Sequence, residues 1–289
     1  TSPVRKNGDA VTITTTSTGT TDGHGFQTGG IDATVTIAGN PTVTTAVTAD
    51  GTLTITAGTG DYEDAAVTIT DPAGNASTQS IKMTIDNTAP TINTISVPSI
   101  IKDGTTVIAG GGFYTTVAGA TGATGVDVWV GGQVSASAFF SINVTADNSL
   151  TITGGTGDIT DGNVYVMDRA GNWSDAKSNL DIDNTAPTVN GKSVASVKTG
   201  GTVTISGEGF TTGTNEPFKV EIGTLDATND GNDGNDDFSV NWDDLTNSAL
   251  IVTAAAGNVT DGQIKVTDYA RNVSTSTVAM HIDNTLPTV

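Results

Sequence analysis

The hexapeptide IDNTAP at residues 85–90 returns at residues 182–187, and again as IDNTLP at residues 282–287. Its asparagines, Asn87, Asn184 and Asn284, are spaced by roughly 100 residues, which is the length of a domain and far more than one turn of a solenoid. We therefore expect three tandem domains, residues 1–87, 88–184 and 185–284, called modules 1, 2 and 3 below. Residues 285–289 are expected to begin a further strand or to form a docking tail.

A second motif precedes each hexapeptide in the same register, as DPAGN at residues 71–75, DRAGN at 168–172 and DYARN at 268–272. Around these motifs, apolar and polar residues alternate over short runs bounded by Gly, Asp and Asn, which is typical of half-buried antiparallel strands. About seven such runs in each module predict an all-β, two-sheet sandwich. The front strands include TVTI, DVWV and KVEI, which end at Ile37, Val130 and Ile222.

Two halves of each module resemble known immunoglobulin-like domains. The front half, with G-T-x-V-x-I-x-G-x-G-F, resembles the IPT/TIG type, although module 1 departs from it with TTTSTGTTDGHGF at residues 14–26. The back half, D-x-A-G-N followed by I-D-N-T-A-P-T, is similar to bacterial and archaeal repeats of calcium-binding surface adhesins and S-layer proteins. The resemblance implies three immunoglobulin-like β-sandwiches in an extended array, at the extracellular surface of a cell.

The charge of the chain excludes several partners. Its net charge is −20 with only 11 Lys and Arg residues, so nucleic acids and anionic membranes are disfavoured and cations are favoured. Cysteine is absent, which excludes disulfides and thiolate metal sites. No apolar run is long enough to predict insertion into a membrane. The first ten residues lack a signal-peptide core, so we expect the chain to start after any such signal.

Repeated Asp and Asn residues predict calcium sites between the modules. In an immunoglobulin-like sandwich the D-x-A-G-N turn of one module should meet the IDN linker and the E–F turn of the preceding one. Calcium accepts many oxygen ligands with loose geometry, and extracellular modules bind it weakly. An ordinary turn-forming role is the alternative for each residue. The predicted Ca²⁺ ligands are Asp61, Asp64, Asp71, Asp86, Asn87, Asp158, Asp161, Asp168, Asn172, Asp183, Asn184, Asp261, Asp268, Asn272 and Asp283.

Two further segments have alternative interpretations. The acidic run DATNDGNDGNDD at residues 226–237 fails the EF-hand pattern, so it is either a solvated loop or a calcium site that metal orders. The tail TLPTV at residues 285–289 repeats TAPTV at 185–189, which opens module 3. We expect either a further module after it or docking of this tail on another copy of the chain, in a filament or lattice.

The pattern favours a structural role over catalysis. Neither histidine, His24 or His281, belongs to a recognisable catalytic motif, so no enzyme is expected. The leading hypothesis is a subunit of an S-layer or extracellular filament; the alternative is the stalk or ligand-binding region of a calcium-dependent adhesin. For the alternative, Trp129, Trp173 and Trp242 could bind cell-surface glycans, but their positions predict no common platform, and each is expected to pack on its own or a neighbouring sandwich.

Overall fold

A computed structural model of the chain contains 27 strands and no helix among the residues that it describes. No part of that described sequence could therefore cross a bilayer as a helix. The described residues are 4–14, 26–28, 31–39, 42–49, 51–77, 81–113, 126–211, 218–228, 237–241, 248–254 and 256–288. His24, Trp242 and most of the acidic run lie outside them.

Module 1 forms one sheet in the order β1-β9-β8-β5, a second in the order β2-β7-β6, and a small pair β3-β4. Its strands are β1 (Val4–Arg5), β2 (Ala10–Thr14), β3 (Gln27–Thr28), β4 (Ile31–Asp32), β5 (Thr34–Ile37), β6 (Thr44–Ala49), β7 (Thr52–Thr56), β8 (Tyr62–Thr70) and β9 (Ile81–Ile85).

Module 2 forms the sheets β10-β12-β16-β15 and β11-β18-β17-β13-β14. Its strands are β10 (Thr91–Ile95), β11 (Ser99–Ile100), β12 (Thr105–Gly111), β13 (Asp127–Val130), β14 (Gln133–Val134), β15 (Phe140–Ala146), β16 (Ser149–Gly154), β17 (Ile159–Met167) and β18 (Lys177–Ile182).

Module 3 repeats that arrangement as β19-β21-β25-β24 and β20-β27-β26-β22-β23. Its strands are β19 (Thr188–Lys192), β20 (Ser196–Val197), β21 (Thr202–Glu208), β22 (Lys219–Ile222), β23 (Leu225–Thr228), β24 (Phe238–Val240), β25 (Ala249–Ala254), β26 (Val259–Thr267) and β27 (Ala279–Ile282).

The strand order is that of an immunoglobulin-type sandwich. In modules 2 and 3 the first strand is divided, so its front part pairs antiparallel in one sheet while its back part crosses to the other sheet and pairs parallel with the last strand. In immunoglobulin lettering the two sheets are A-B-E-D and A′-G-F-C-C′. The predicted all-β fold of three tandem immunoglobulin-like sandwiches is confirmed, with each described module containing nine strands rather than the predicted seven, because strand A is split and short additional strands occur.

Each module has a hydrophobic core of its own. Every second residue along a strand points into that core. Strand β16, for example, buries Leu150 and Ile152 completely, while Ser149, Thr151 and Thr153 remain partly exposed. The front strands TVTI, DVWV and KVEI end where the sequence predicted, at the buried residues Ile37, Val130 and Ile222. Period-two patterning therefore located the strands correctly, because one face of each strand is buried.

The G-x-G-F motif is a packing device. A Cβ atom added to Gly110 or Gly207 would lie 1.9 Å from the carbonyl oxygen of Thr91 or Thr188 on the neighbouring strand. Gly112 and Gly209 follow with φ near +70°, a conformation that favours glycine. The motif places Phe113 and Phe210 in the cores with no exposed surface.

Candidate functional site

The asparagine of each hexapeptide ties two turns together at the C-terminal end of its module. In module 1, the Oδ1 atom of Asn87 accepts a hydrogen bond from the backbone N–H of Asn7 at 2.6 Å, in the turn after β1. Its Nδ2 atom donates to the carbonyl oxygens of Gly58 and Gly60, in the turn between β7 and β8, at 3.1 and 2.9 Å. The side chain thus forms hydrogen bonds with backbone groups in two turns, where the chain leaves the strands and their backbone pairing.

Modules 2 and 3 repeat this arrangement. Asn184 accepts from Lys102 at 2.6 Å and donates to Gly155 and Gly157. Asn284 accepts from Thr199 at 2.6 Å and donates to the carbonyl of Gly257 at 2.8 Å. The recurrence of IDNT therefore has a structural cause inside each module, since an amide supplies both the acceptor and the donors that the two turns need.

Carboxylates around this asparagine complete the same hydrogen-bonded end. Asp61 accepts from the backbone N–H of Asn87 at 2.6 Å and from the hydroxyl of Thr88. Asp86 accepts from the backbone N–H of Thr88, two residues on, at 3.1 Å. Asp158 and Asp183 do the same in module 2, with Asn184 and Thr185 as donors. In module 3 Asn258 takes the place of Asp61, and Asp283 accepts from Thr285 at 2.8 Å, which lowers the pKa of Asp283.

The D-x-A-G-N turn is closed by its own first and last side chains. In module 2, Asp168 accepts from both the backbone N–H and the Nδ2 atom of Asn172 at 2.9 Å. Asp71 with Asn75, and Asp268 with Asn272, form the same pair of bonds at 2.8–2.9 Å. The same internal bonds close the turn in all three modules.

Two of these turns join adjacent modules. The Nδ2 atom of Asn172 also donates to the carbonyl oxygen of Asp86 at 3.0 Å, and Asn272 donates to that of Asp183 at 2.8 Å. Lys6 of module 1 adds a bond from its ammonium group to the carbonyl of Gly171 at 2.8 Å. The predicted meeting of this turn with the preceding linker is confirmed, and both junctions use the same contact.

The junction changes the electrostatics of an otherwise identical turn. Asp168 and Asp268 are fully buried. Burial raises the pKa of Asp268 to about 6, with a further increase from the nearby carboxylate of Asp183, against the lowering effect of the bonds from Asn272. Burial also raises the pKa of Asp168. Asp71 is not fully buried, and the bonds from Asn75 lower its pKa.

Three predicted ligands have a different local role. Asp64, Asp161 and Asp261 lie in β-bulges near the start of β8, β17 and β26, with φ between 46° and 51°. Asp tolerates this left-handed conformation better than most residues. The backbone N–H of each residue donates to a side chain on the neighbouring strand: Thr84, Asp181 and His281.

The structure thus brings the D-x-A-G-N turn of one module to the IDN linker of the preceding one, which is itself bonded to its E–F turn, as the calcium hypothesis requires. Several of the oxygens there already accept hydrogen bonds. Among the described residues, no three Asp, Glu or His side chains are grouped so that they could hold a metal ion. Calcium at a junction would therefore depend on backbone and amide oxygens beside Asp86 and Asp168, or Asp183 and Asp268. Calcium binding stays a prediction.

Two of the three tryptophans that the sequence named as glycan candidates contact each other on module 2, which the sequence did not predict. Trp129 of β13 and Trp173, which follows the D-R-A-G-N turn, have ring centroids 5.4 Å apart at an interplanar angle of 67°. Both remain open to solvent, with 42 % and 39 % of their surfaces exposed. The two rings meet because Met167 forms a bridge with Trp173 and is also paired with Asp127, two residues before Trp129. The expectation concerned all three tryptophans, and Trp242 lies outside the described residues, so whether the three form one platform stays untested.

No family model and no curated protein matches the chain. Among solved structures, it is similar to a protein crystallised with a xylogluco-oligosaccharide, at 17 % identity and a TM-score of 0.35, covering 93 % of this chain and 56 % of that one. It is also similar to SGBP-B of the Bacteroides ovatus mixed-linkage glucan utilization locus, at 12 % identity and a TM-score of 0.27, covering 94 % and 61 %. For the Escherichia coli adhesin FdeC the identity is 14 %, the TM-score 0.30 and the coverage 86 % and 83 %.

The chain spans less than two thirds of the first two of these structures. These likenesses concern the fold alone.

Proposed function

We propose that the chain is a non-catalytic structural segment of a cell-surface protein, in which immunoglobulin-type modules are held in a fixed relative orientation. The observation that carries this proposal is the repeated junction, where Asn172 and Asn272 make the same bond to the linker carbonyls of Asp86 and Asp183. A contact repeated at two junctions reflects a device for chaining modules, and it serves a structural array better than an isolated binding domain.

The physical basis of the fixed orientation is the burial of polar groups at the junction. Separating modules 1 and 2 would break the bond from Asn172 to Asp86 and the bond from Lys6 to Gly171. Val4 and Ala170, which form a small buried cluster across the junction, would become exposed. Bending at the junction is thus opposed by directional bonds and by apolar contact.

Calcium is the second part of the proposal. A Ca²⁺ ion between Asp86 and Asp168, or between Asp183 and Asp268, would neutralise carboxylates whose mutual repulsion contributes to the raised pKa values of Asp168 and Asp268. The remaining ligands would come from carbonyl and amide oxygens, which calcium accepts. The third part is head-to-tail assembly of copies, with residues 285–289 of one chain docking on module 1 of the next.

Small-angle scattering of the intact chain tests the fixed orientation. The double variant Asn172→Ala with Asn272→Ala should broaden the distribution of interatomic distances, because both junctions lose their linker bonds. The matched control, Asn75→Ala, removes the same side chain from the turn of module 1, which makes no such bond among the described residues. An unchanged distribution in the double variant would contradict the proposal.

The location and the assembly need separate measurements. Antibodies against the chain should label intact, unpermeabilised cells of the source organism. Electron microscopy with calcium present should show filaments or a lattice that deletion of residues 285–289 disrupts. Single particles in both samples would favour the alternative function, the stalk of an adhesin.

A further inference from the structure

The three modules place different side chains at the same positions of the outer face of the A′-G-F-C-C′ sheet. Strand C is β5, β13 or β22, and strand F is β8, β17 or β26. The residues paired across these two strands are Thr36 with Thr68 in module 1, Trp129 with Tyr165 in module 2, and Glu221 with Lys265 in module 3. The residue that bridges the end of strand F is Ala76, Trp173 and Val273, respectively. The fold therefore accepts polar or small residues here and does not require tryptophan.

Exposure of the tryptophan pair calls for an explanation beyond packing. Trp129 and Trp173 contact each other edge to face, and such pairs stabilise a protein by about 0.5–1.5 kcal/mol. The contact nevertheless leaves 42 % of Trp129 and 39 % of Trp173 open to solvent, so apolar surface remains that the packing of module 2 does not cover. Tryptophan is enriched at binding surfaces, where a partner covers its apolar body and its N–H group finds an acceptor.

We propose that the tryptophan pair of module 2 is a binding site for neutral carbohydrate. The C–H-bearing face of a sugar ring is apolar and slightly positive, so it packs against the negative π-face of an indole. Two indoles at 67° form a corner in which one ring can stack on the sugar while the other borders it. Asp127, Asn163 and Tyr165 lie on the same sheet face, and their polar groups can bind the hydroxyl groups around the sugar rim.

Size and charge favour this ligand over others. Two half-exposed indoles present roughly 200 Å², whereas a protein partner needs about 800 Å² on each side; one or two sugar rings match the smaller area. In the chain segment 168–177 around Trp173, Asp168 and Asp175 balance Arg169 and Lys177, so this segment has no excess of positive charge to attract an acidic polysaccharide. The net charge of −20 opposes polyanions as well.

The test is binding of the intact chain to an array that carries neutral, uronic and sulfated glycans. We expect binding to neutral glycans, and a loss of about 30-fold or more in the double variant Trp129→Thr with Trp173→Ala. These substitutions introduce the residues that module 1 already has, Thr36 and Ala76, so module 2 should still fold. The matched control, Glu221→Thr with Val273→Ala, introduces the same residues at the same positions of module 3 and should bind like the native chain.

Three results would overturn the proposal: no binding to any neutral glycan, binding confined to acidic glycans, or undiminished binding in the double variant with module 2 folded. Light scattering distinguishes the competing occupant. Concentration-dependent dimers that the double variant abolishes, without glycan binding, would instead assign the pair to a contact between copies. None of these results depends on the structural role proposed above, which concerns the junctions.

Discussion

Titration of Asp268 should make module 3 less stable as the pH rises. Burial raises the pKa of this carboxyl from 3.8 to about 6, so the folded, docked state holds its proton more tightly than an undocked or unfolded state does. Stability is therefore fully present below about pH 4 and is lost as the pH rises through 6. The difference between the two pKa values corresponds to about 3 kcal/mol, which is a large fraction of the stability of a small domain.

Hydrogen exchange read by mass spectrometry can follow each module separately in the intact chain. Peptides that cover β26 and β27 should lose protection by about a hundredfold between pH 4 and pH 7, after correction for intrinsic exchange rates. The variant Asp268→Asn cannot ionise and should lose far less. Comparing the two proteins cancels the general effect of pH on a chain of net charge −20.

The turn of module 1 supplies a control of opposite sign. Hydrogen bonds from Asn75 lower the pKa of Asp71, so this carboxylate contributes stability that is present above its ordinary pKa and lost as the pH falls. Peptides that cover β8 and β9 should therefore lose protection on acidification, and Asp71→Asn should remove that loss. Parallel profiles for native protein and Asp268→Asn, or a gain of protection in module 3 above pH 6, would refute the reasoning.

Three further experiments test the packing and the junctions. Gly110→Ala should destabilise module 2 by about 3 kcal/mol or more in calorimetry, because its Cβ would lie 1.9 Å from a carbonyl oxygen. The control is Gly111→Ala, whose Cβ would meet nothing closer than 3.5 Å. Its effect on the free energy of unfolding should stay within about 1 kcal/mol. Ser99→Val should stabilise the chain by about 1–2 kcal/mol, since its hydroxyl is buried and has no hydrogen-bond partner among the described residues. Ser196→Val, at the same position of module 3 but exposed, should not. If calcium binds the junctions, calorimetric titration of Asp183→Ala should show one site fewer than the native chain, and no binding heat in the native chain would contradict the calcium hypothesis.

Local pattern accounts for the part of the fold that the sequence could predict. Alternation of apolar residues located β7, β16 and β25 and the strands around them, because each has one buried face. The repeated motifs marked turns, because Asp168 and Asn172 close theirs with bonds inside five residues. Such short-range chemistry is written in the order of the residues and needs no knowledge of the tertiary contacts.

Long-range contact decided the rest. Asp71 and Asp268 occupy the same motif, yet their pKa values move in opposite directions, because what packs on the turn determines its burial. Trp129 and Trp173 are far apart in the chain and meet only because strands C and F are adjacent in the sheet. The sequence by itself thus determined the strands, the turns and the tandem order. The tertiary structure decided which carboxylates are buried and which aromatic rings contact each other, because burial and proximity depend on residues that are distant in the chain.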